Sequence, residues 1–195
     1  MGRNVAVTYP SSTVDPSRVL TPANALTLVR IAVSPLLIGL ILTDNPSWVS
    51  FWLGWVLGGT DLLDGRLARR SGPTRSGAFL DPLADKILAL GCLFALVGID
   101  RFPALPVLLI AGRELGISAY RSYWARRGLA IPARRSAKFK TWVQGLAIAA
   151  ALAPPLDDVG WVADAMLWIA VVFTVVTGLQ YVVDGRTALR STGER

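Results

Sequence analysis

The chain consists of apolar segments separated by short polar connections. Six such segments lie near residues 23–43, 47–68, 82–99, 103–125, 139–155 and 160–183. A membrane-spanning helix needs about 20 mostly apolar residues, and strand-like alternation is absent. The pattern therefore predicts an all-α integral membrane protein with six transmembrane helices. Residues 1–20 are predicted to form a polar cytoplasmic segment, 21–186 the six-helix transmembrane domain, and 187–195 a cytoplasmic tail.

The charged residues are distributed unevenly between the two ends of these segments. Of the 20 lysines and arginines, only Arg101 falls in a connection assigned to the far side, which otherwise carries acidic residues. Because lysine and arginine are enriched in cytoplasmic connections, this bias places both termini in the cytoplasm. An odd number of helices would separate the termini, so the charge pattern also favours six helices in the cell membrane.

Composition supports a membrane protein and excludes several kinds of chemistry. The chain is 53% hydrophobic and 17% charged, with a mean hydropathy of +0.49, which is more apolar than an ordinary soluble domain. A net charge of +7 would suit nucleic acid or an anionic membrane. The basic residues follow one membrane side, so no nucleic acid partner is expected. There is no histidine and only one cysteine, Cys92, which excludes a disulfide framework, a histidine-based metal site and a Ser-His triad.

Four carboxylates interrupt the apolar pattern around the connection between the second and third segments. Asp61 and Asp64 are three residues apart, and Asp81 and Asp85 are four apart. Residues at these spacings share a helix face, so the sequence predicts one acidic pair on each of two consecutive helices. Four facing carboxylates fit a site for Mg²⁺ or Mn²⁺, most simply with two ions. The alternative is that they are surface charges or helix caps, and Asp81 ahead of Pro82 is a plausible cap.

Small and basic residues accompany the four aspartates. Gly65 and Ala68 remove bulk near the first acidic face, which lets a ligand or a second backbone approach closely. Residues 69–76 combine arginines with a Gly-Pro pair and are predicted to be a cationic, turn-forming connection. Ion pairs with the neighbouring arginines would compensate part of the acidic charge, but they would not require the small residues. The pattern therefore favours a metal site.

These residues resemble the signature of a known family. The CDP-alcohol phosphotransferases carry D-x-x-D-G-x-x-A-R, then seven or eight residues, then G-x-x-x-D-x-x-x-D, and every fixed position is matched within residues 61–85. The resemblance implies the family's fold, with Asp61, Asp64 and Asp81 as metal ligands. It implies that Asp85 ligates a metal or acts as the base toward an acceptor hydroxyl. It also implies a nucleotide pocket, whose residues would be Asn24, Thr27, Gly65, Ala68, Arg69 and Gly77.

Charged residues also lie inside the fourth segment and at the start of the fifth. Arg113 and Glu114 stand well inside the fourth segment, and Arg121 shares a helix face with Glu114. A buried arginine suits bidentate phosphate capture, and a structural pair between Arg113 and Glu114 is the alternative. For the lysines that enter the fifth segment, the alternative is snorkelling at the inner interface. The predicted acceptor-phosphate residues are Arg113, Arg121, Lys138 and Lys140.

Within the family, both clusters are similar to those of the bacterial phosphatidylglycerophosphate synthases, as are residues 24–30 and 77–86. The resemblance implies metal-dependent transfer of the phosphatidyl group of CDP-diacylglycerol to sn-glycerol 3-phosphate, by a homodimer surrounded by membrane lipids. Two other acceptors stay open: inositol phosphate, and phosphatidylglycerol in a cardiolipin synthase. A rival of another class is an ion transporter whose path is lined by acids, although no internal repeat of the kind common in transporters is visible.

Overall fold

The computed structural model describes residues 21–44, 47–71, 75–126 and 136–193. Side chains are described throughout these ranges except at 61–79, 136–140 and 181–193 and at positions 23, 44, 125 and 126. Within the described residues the secondary structure is helical, with one 3₁₀ turn at Pro154–Leu156 and no strand. The six helices are α1 (Pro22–Asp44), α2 (Trp48–Ser71), α3 (Arg75–Gly98), α4 (Ala104–Arg126), α5 (Ser136–Leu152) and α6 (Trp161–Gly193).

All six predicted helices are present, and the differences lie at their polar ends. The bounds of α1 and α4 agree with the predicted segments to within one residue. By contrast α3 begins at Arg75 rather than near residue 82, and α6 continues to Gly193, past the predicted boundary at 186. Hydropathy marks the length of an apolar segment, whereas a helix continues through polar residues until its backbone is broken. The connection predicted at 69–76 is therefore too long, because helix occupies its residues up to Ser71 and again from Arg75.

The early start of α3 also corrects the interpretation of Asp81 as a helix cap. Asp81 and Pro82 both lie inside α3, well after its first residue. An N-cap residue must precede the helix, where the first backbone N–H groups have no partner. Asp81 is therefore a side chain on the face of a continuous helix.

Among the described residues, the most extensive contact between two helices is that of α1 with α3. Helix α1 also packs against α2. Helix α5 contacts α2 and α3, and it packs most extensively against α6. Helix α4 packs mainly on α6. Gly91 lies at the contact between α1 and α3, where an added Cβ would lie 3.2 Å from Ile38 Cγ1 and closer still to its Cδ1. The apolar core between the helices includes Leu37, Ile41, Leu93, Leu96, Ile110, Leu152 and Leu167.

The first half of α1 has apolar residues on its outward face and polar residues on its inward face, which is the reverse of a helix in a soluble protein. Val29 is 55% exposed, whereas its neighbour Arg30 is 1% exposed. Apolar residues face outward on α6 as well, including Val172 at 60% exposure and Leu179 at 63%. An apolar exterior around a polar interior is expected when the surroundings are hydrocarbon, since intramembrane polar residues face the bundle interior.

Two described stretches are long and apolar enough to cross a membrane, Asn24–Thr43 in α1 and Trp161–Gln180 in α6. Helix α5 contributes a shorter apolar stretch, Thr141–Leu152. The chain therefore has the character of a membrane protein, but six spanning helices are not established by this criterion. The described parts of α3 and α4 carry charged residues within their apolar stretches, including Asp81, Asp85, Arg113 and Glu114, which lower their hydropathy.

The predicted far-side connections meet at Arg101. Its Nη2 donates to the carbonyl oxygen of Leu156 at 3.2 Å and lies 3.7 Å from Asp157 Oδ1. Gly160 leaves room for this guanidinium, because an added Cβ would lie 2.7 Å from Arg101 Nη1. Arg101 thus joins the α3–α4 connection to the α5–α6 connection at the end of the bundle.

Candidate functional site

A line of buried polar side chains runs along α1 where that helix faces α2 and α3. Its members recur every three or four residues, so they share one face. They are Thr21, Asn24, Thr27, Arg30 and Ser34, each at most 7% exposed. The line begins at the helix start, where Thr21 Oγ1 accepts from the backbone N–H of Asn24 at 3.2 Å and Pro22 takes the first helical position. The same face continues as apolar residues farther along the helix.

Two members of this line contact the second aspartate pair. The Thr27 hydroxyl donates to Asp81 Oδ1 at 2.8 Å, and Arg30 Nη1 donates to Asp85 Oδ1 at 2.8 Å. Thr27 is fully buried, and the Asp85 side chain is 45% exposed. Each carboxylate is therefore held by a donor from α1 on one side while it stays accessible on the other. The spacing of four residues places both on one face of α3, as predicted.

Arg30 also reaches the helix that carries the first aspartate pair. Its Nε donates to Thr60 Oγ1 at 3.3 Å, and the Thr60 hydroxyl donates to the carbonyl oxygen of Leu57 at 2.6 Å. Thr60 directly precedes Asp61 in α2. The helical backbone of α2 places Asp61 and Asp64 three residues apart on one face. Their side chains lie outside the described residues, so the meeting of the two pairs stays a prediction.

The described part of the site fits a hard divalent cation. Carboxylate oxygens are the ligands that Mg²⁺ takes from proteins, usually one or two together with substrate oxygens. Asp81 and Asp85 offer two such groups, both partly exposed and both oriented by donors from α1. Among the side chains that the structure describes, no three acidic or thiol groups come together. The remaining predicted ligands, Asp61 and Asp64, fall in the stretch without described side chains.

The structure describes the side chains of two of the four predicted acceptor-phosphate residues, Arg113 and Arg121. Arg113 is 12% exposed, donates from Nη2 to Thr177 Oγ1 at 2.9 Å, and lies 3.4 Å from Glu114 Oε1. The structural pair with Glu114 is therefore present, and Arg113 lies against α6. Gly178 permits this contact, because a Cβ there would be 3.3 Å from Arg113 Cγ.

Arg121, by contrast, is exposed. Its guanidinium is close enough to Lys86 to act on that ammonium electrostatically, as is the Asp85 carboxylate. Arg121 and Asp85 therefore both lie near Lys86. Lys138 and Lys140 lie in the first turns of α5, and their side chains are outside the described residues.

The structure describes the side chains of only some of the predicted nucleotide-binding residues. Asn24 is 2% exposed and Thr27 is fully buried, so both lie in the α1 interface beside the second aspartate pair. Gly65, Ala68 and Arg69 lie on helical backbone in α2, and Gly77 lies in the first turn of α3. Their surroundings are outside the description.

Comparison with known proteins identifies the family. A family model described as CDP-alcohol phosphatidyltransferase matches residues 20–176. The chain belongs to the CDP-alcohol phosphatidyltransferase family. The resemblance read from the aspartate signature is thereby confirmed, and membership of a transferase family argues against the ion-transporter hypothesis.

Curated relatives of this family match nearly the whole chain. A Bacillus subtilis (strain 168) protein named CDP-diacylglycerol--glycerol-3-phosphate 3-phosphatidyltransferase is 36% identical over 187 residues, covering 87% of this chain and 97% of that protein. A Mycobacterium tuberculosis (strain H37Rv) protein named as a probable phosphatidylglycerophosphate synthase is 36% identical over 183 residues, covering 91% and 86%. A Rickettsia typhi protein with the same name as the Bacillus relative is 36% identical over 171 residues, covering 81% and 93%.

Arg30 contacts two other helices of the described site, but it is not part of the family signature. Arg30 joins α1 to Asp85 on α3 and to Thr60 on α2. The sequence pattern assigns Arg30 no role beyond its place in residues 24–30, which are similar to the family. Two signals were available: an arginine inside an apolar segment, and its position three residues after Thr27 and six after Asn24 on the same face.

Proposed function

We propose that this member of the CDP-alcohol phosphatidyltransferase family transfers the phosphatidyl group of CDP-diacylglycerol to sn-glycerol 3-phosphate, giving phosphatidylglycerophosphate and CMP. The observation that carries the proposal is 36% identity to the Bacillus enzyme of that name over 97% of the enzyme's length. The direct test is CMP release from CDP-diacylglycerol by the purified protein in detergent, measured with and without glycerol 3-phosphate.

The reaction exchanges one phosphorus–oxygen bond for another. A hydroxyl oxygen of glycerol 3-phosphate attacks the β-phosphorus of CDP-diacylglycerol, and the bond from that phosphorus to the CMP oxygen breaks. CMP leaves with the bonding electron pair, and the hydroxyl proton passes to a base. We assign that base to Asp85, because its carboxylate is 45% exposed while its Oδ1 is held by Arg30 at 2.8 Å. Such a fixed group with one accessible side is suited to accept a proton from a bound hydroxyl.

Asp61, Asp64, Asp81 and Asp85 are the proposed ligands of two Mg²⁺ or Mn²⁺ ions. When bound, such ions neutralise the pyrophosphate and stabilise the charge that develops on departing CMP. The role of Thr27 in this proposal is to hold Asp81 in place from α1, at 2.8 Å. Asn24, Gly65, Ala68, Arg69 and Gly77 are proposed to surround the nucleotide.

The proposal includes six membrane-spanning helices, with residues 21–186 as the catalytic domain and with 1–20 and 187–195 as cytoplasmic segments. The one-sided distribution of lysine and arginine supports it. It also includes a homodimer in the lipid bilayer, as implied by the family resemblance.

Cysteine labelling in intact cells tests the orientation. In a Cys92→Ala background, we expect Asp158→Cys to react with a membrane-impermeant maleimide from outside, because Asp158 is exposed in the α5–α6 connection. A cysteine at position 73 should react only after the cells are opened. The reverse labelling pattern would contradict the topology. The site would then face outward, where it could not bind the cytosolic glycerol 3-phosphate of this proposal.

The acceptor phosphate supplies a second prediction. Replacing Arg121 with alanine should raise the KM for glycerol 3-phosphate about 10- to 100-fold, because a charge-assisted hydrogen bond contributes roughly 1.5–3 kcal/mol. The KM for CDP-diacylglycerol should change much less. Ser122→Ala, at the next exposed position of α4, is the matched control and should leave both constants unchanged. If Arg121→Ala raised the KM for both substrates by the same factor, the result would argue against a role for Arg121 in acceptor binding.

A further inference from the structure

Arg30 occupies the junction of the three helices that form the described site. Its side chain is 1% exposed, and it lies inside the apolar stretch Asn24–Thr43 of α1. Nη1 donates to Asp85 on α3 at 2.8 Å, and Nε donates to Thr60 on α2 at 3.3 Å. One buried guanidinium therefore contacts both helices that carry the aspartate signature.

The chemistry of the guanidinium makes this contact geometrically restrictive. Its donors lie in one plane at fixed angles, unlike the single rotatable ammonium of lysine. With Nε directed at Thr60 and Nη1 at Asp85, the position of the Asp85 carboxylate is tied to α2 at the residue before Asp61. Thr60 is itself fixed by its bond to the carbonyl oxygen of Leu57 at 2.6 Å.

We propose that Arg30 is a positioning residue, which sets the distance and orientation of Asp85 relative to the first aspartate pair on α2. In this view α1 aligns the two halves of the signature, with Arg30 and Thr60 as the connection. The inference rests on the proposed function, since it assigns to Asp85 a role in the transfer reaction.

Packing alone does not account for an arginine at this position. Farther along the same face of α1, Leu37 and Ile41 are fully buried and hold the helix by apolar contact. The Asp85 side chain is 45% exposed, so its charge is only partly buried and does not need an arginine merely to be tolerated. Catalytic groups must be held within about 0.5 Å of the productive geometry, and a displacement of about 1 Å can lower a rate by about 100-fold.

The test compares Arg30→Lys with Arg101→Lys in the purified protein. Arg101 is also mostly buried, with a side chain 15% exposed, and it makes a hydrogen bond and an ion contact at the opposite end of the bundle. We expect Arg30→Lys to lower kcat about 10- to 100-fold, with the KM for both substrates changed less than about threefold. Arg101→Lys should leave kcat at the wild-type value, even if both variants lower the thermal unfolding midpoint.

A second variant separates positioning from stability. Thr60→Val keeps the Arg30–Asp85 contact and removes the hydrogen bond from Arg30 Nε to Thr60 on α2, so it should lower kcat by about three- to tenfold at unchanged KM. The double variant Arg30→Lys with Thr60→Val should be no slower than Arg30→Lys alone, because both changes interrupt one connection.

The outcomes are distinguishable. Wild-type kcat in folded Arg30→Lys, or a loss no larger than that of Arg101→Lys, would overturn the inference. If Arg30→Lys does not fold, Thr60→Val decides, and an unchanged kcat there would equally overturn it. If the wild-type protein releases no CMP with glycerol 3-phosphate, the proposed function fails, and that result is independent of the variants.

Discussion

Replacing Asp81 with asparagine is expected to lower the rate of CMP release by about a thousandfold or more, with the protein still folded. Asparagine keeps the size of the side chain and an oxygen that can accept the Thr27 hydroxyl, which lies 2.8 Å from Asp81 Oδ1. It removes the negative charge that a divalent cation requires. Metal assistance contributes several kcal/mol to such reactions, and about 4 kcal/mol corresponds to a thousandfold in rate. Asp61→Asn and Asp64→Asn should have effects of the same order.

The control for this prediction is Asp158→Asn. Asp158 is exposed in the α5–α6 connection, so the same change of charge there should leave turnover unchanged. Thermal unfolding in detergent should give similar midpoints for all four variants. CMP release within about tenfold of the wild-type rate in Asp81→Asn would exclude Asp81 as an essential ligand.

Removing divalent cations should have an effect of similar size. We expect an excess of EDTA to reduce CMP release to the background rate, because four carboxylates around a pyrophosphate would repel it without compensating cations. Adding Mg²⁺ or Mn²⁺ beyond the chelator should restore the rate, and Na⁺ at equal ionic strength should not. The restoring titration gives the apparent affinity for each cation.

The variants connect this measurement to the site. Asp158→Asn should need the same cation concentration as the wild type for half-maximal rate, whereas Asp85→Asn should need more, if any rate is recovered. Full activity in excess chelator, after dialysis against it, would contradict a metal-dependent mechanism.

The helices were predictable because the apolar segments are long and their breaks are strong. The bounds of α1 and α4 follow from hydropathy to within one residue. Helix ends that continue into polar sequence were not predictable in this way. The first turns of α3, which begin at Arg75 ahead of the aspartates, and the last turns of α6, up to Gly193, are set by backbone hydrogen bonding in segments that carry little apolar signal.

The composition of the site was predictable from the signature, but its connections were not. The spacing of Asp81 and Asp85 correctly predicts that they share a face of α3. It says nothing about which helix holds them, because contacts such as Thr27–Asp81 join residues 54 positions apart. Arg30 is the informative case: a charge in the middle of a span costs roughly 2.5–3.5 kcal/mol, so its presence in an apolar segment signals a partner. Only the structure identifies that partner as Asp85.

For Arg113, the sequence left two interpretations open, phosphate binding and a structural pair with Glu114. Its depth in the fourth segment predicts a functional or paired arginine, and sequence alone favoured phosphate binding. The structure describes contacts to Glu114 and Thr177 instead, which depend on α6 passing beside α4. A role for Arg113 in acceptor binding stays a prediction. Arg121 is exposed, so it is the better residue on which to test acceptor binding.

The central claim is that glycerol 3-phosphate is the acceptor, and a competition assay tests it most directly. Purified wild-type protein is supplied with CDP-diacylglycerol, Mg²⁺ and equal concentrations of glycerol 3-phosphate, inositol 3-phosphate and phosphatidylglycerol, and the lipid products are separated by mass. We expect phosphatidylglycerophosphate to form in amounts equal to the CMP released, with the other two products at background. Faster consumption of inositol 3-phosphate or phosphatidylglycerol would contradict the assignment of the acceptor, even with the family and the reaction class unchanged.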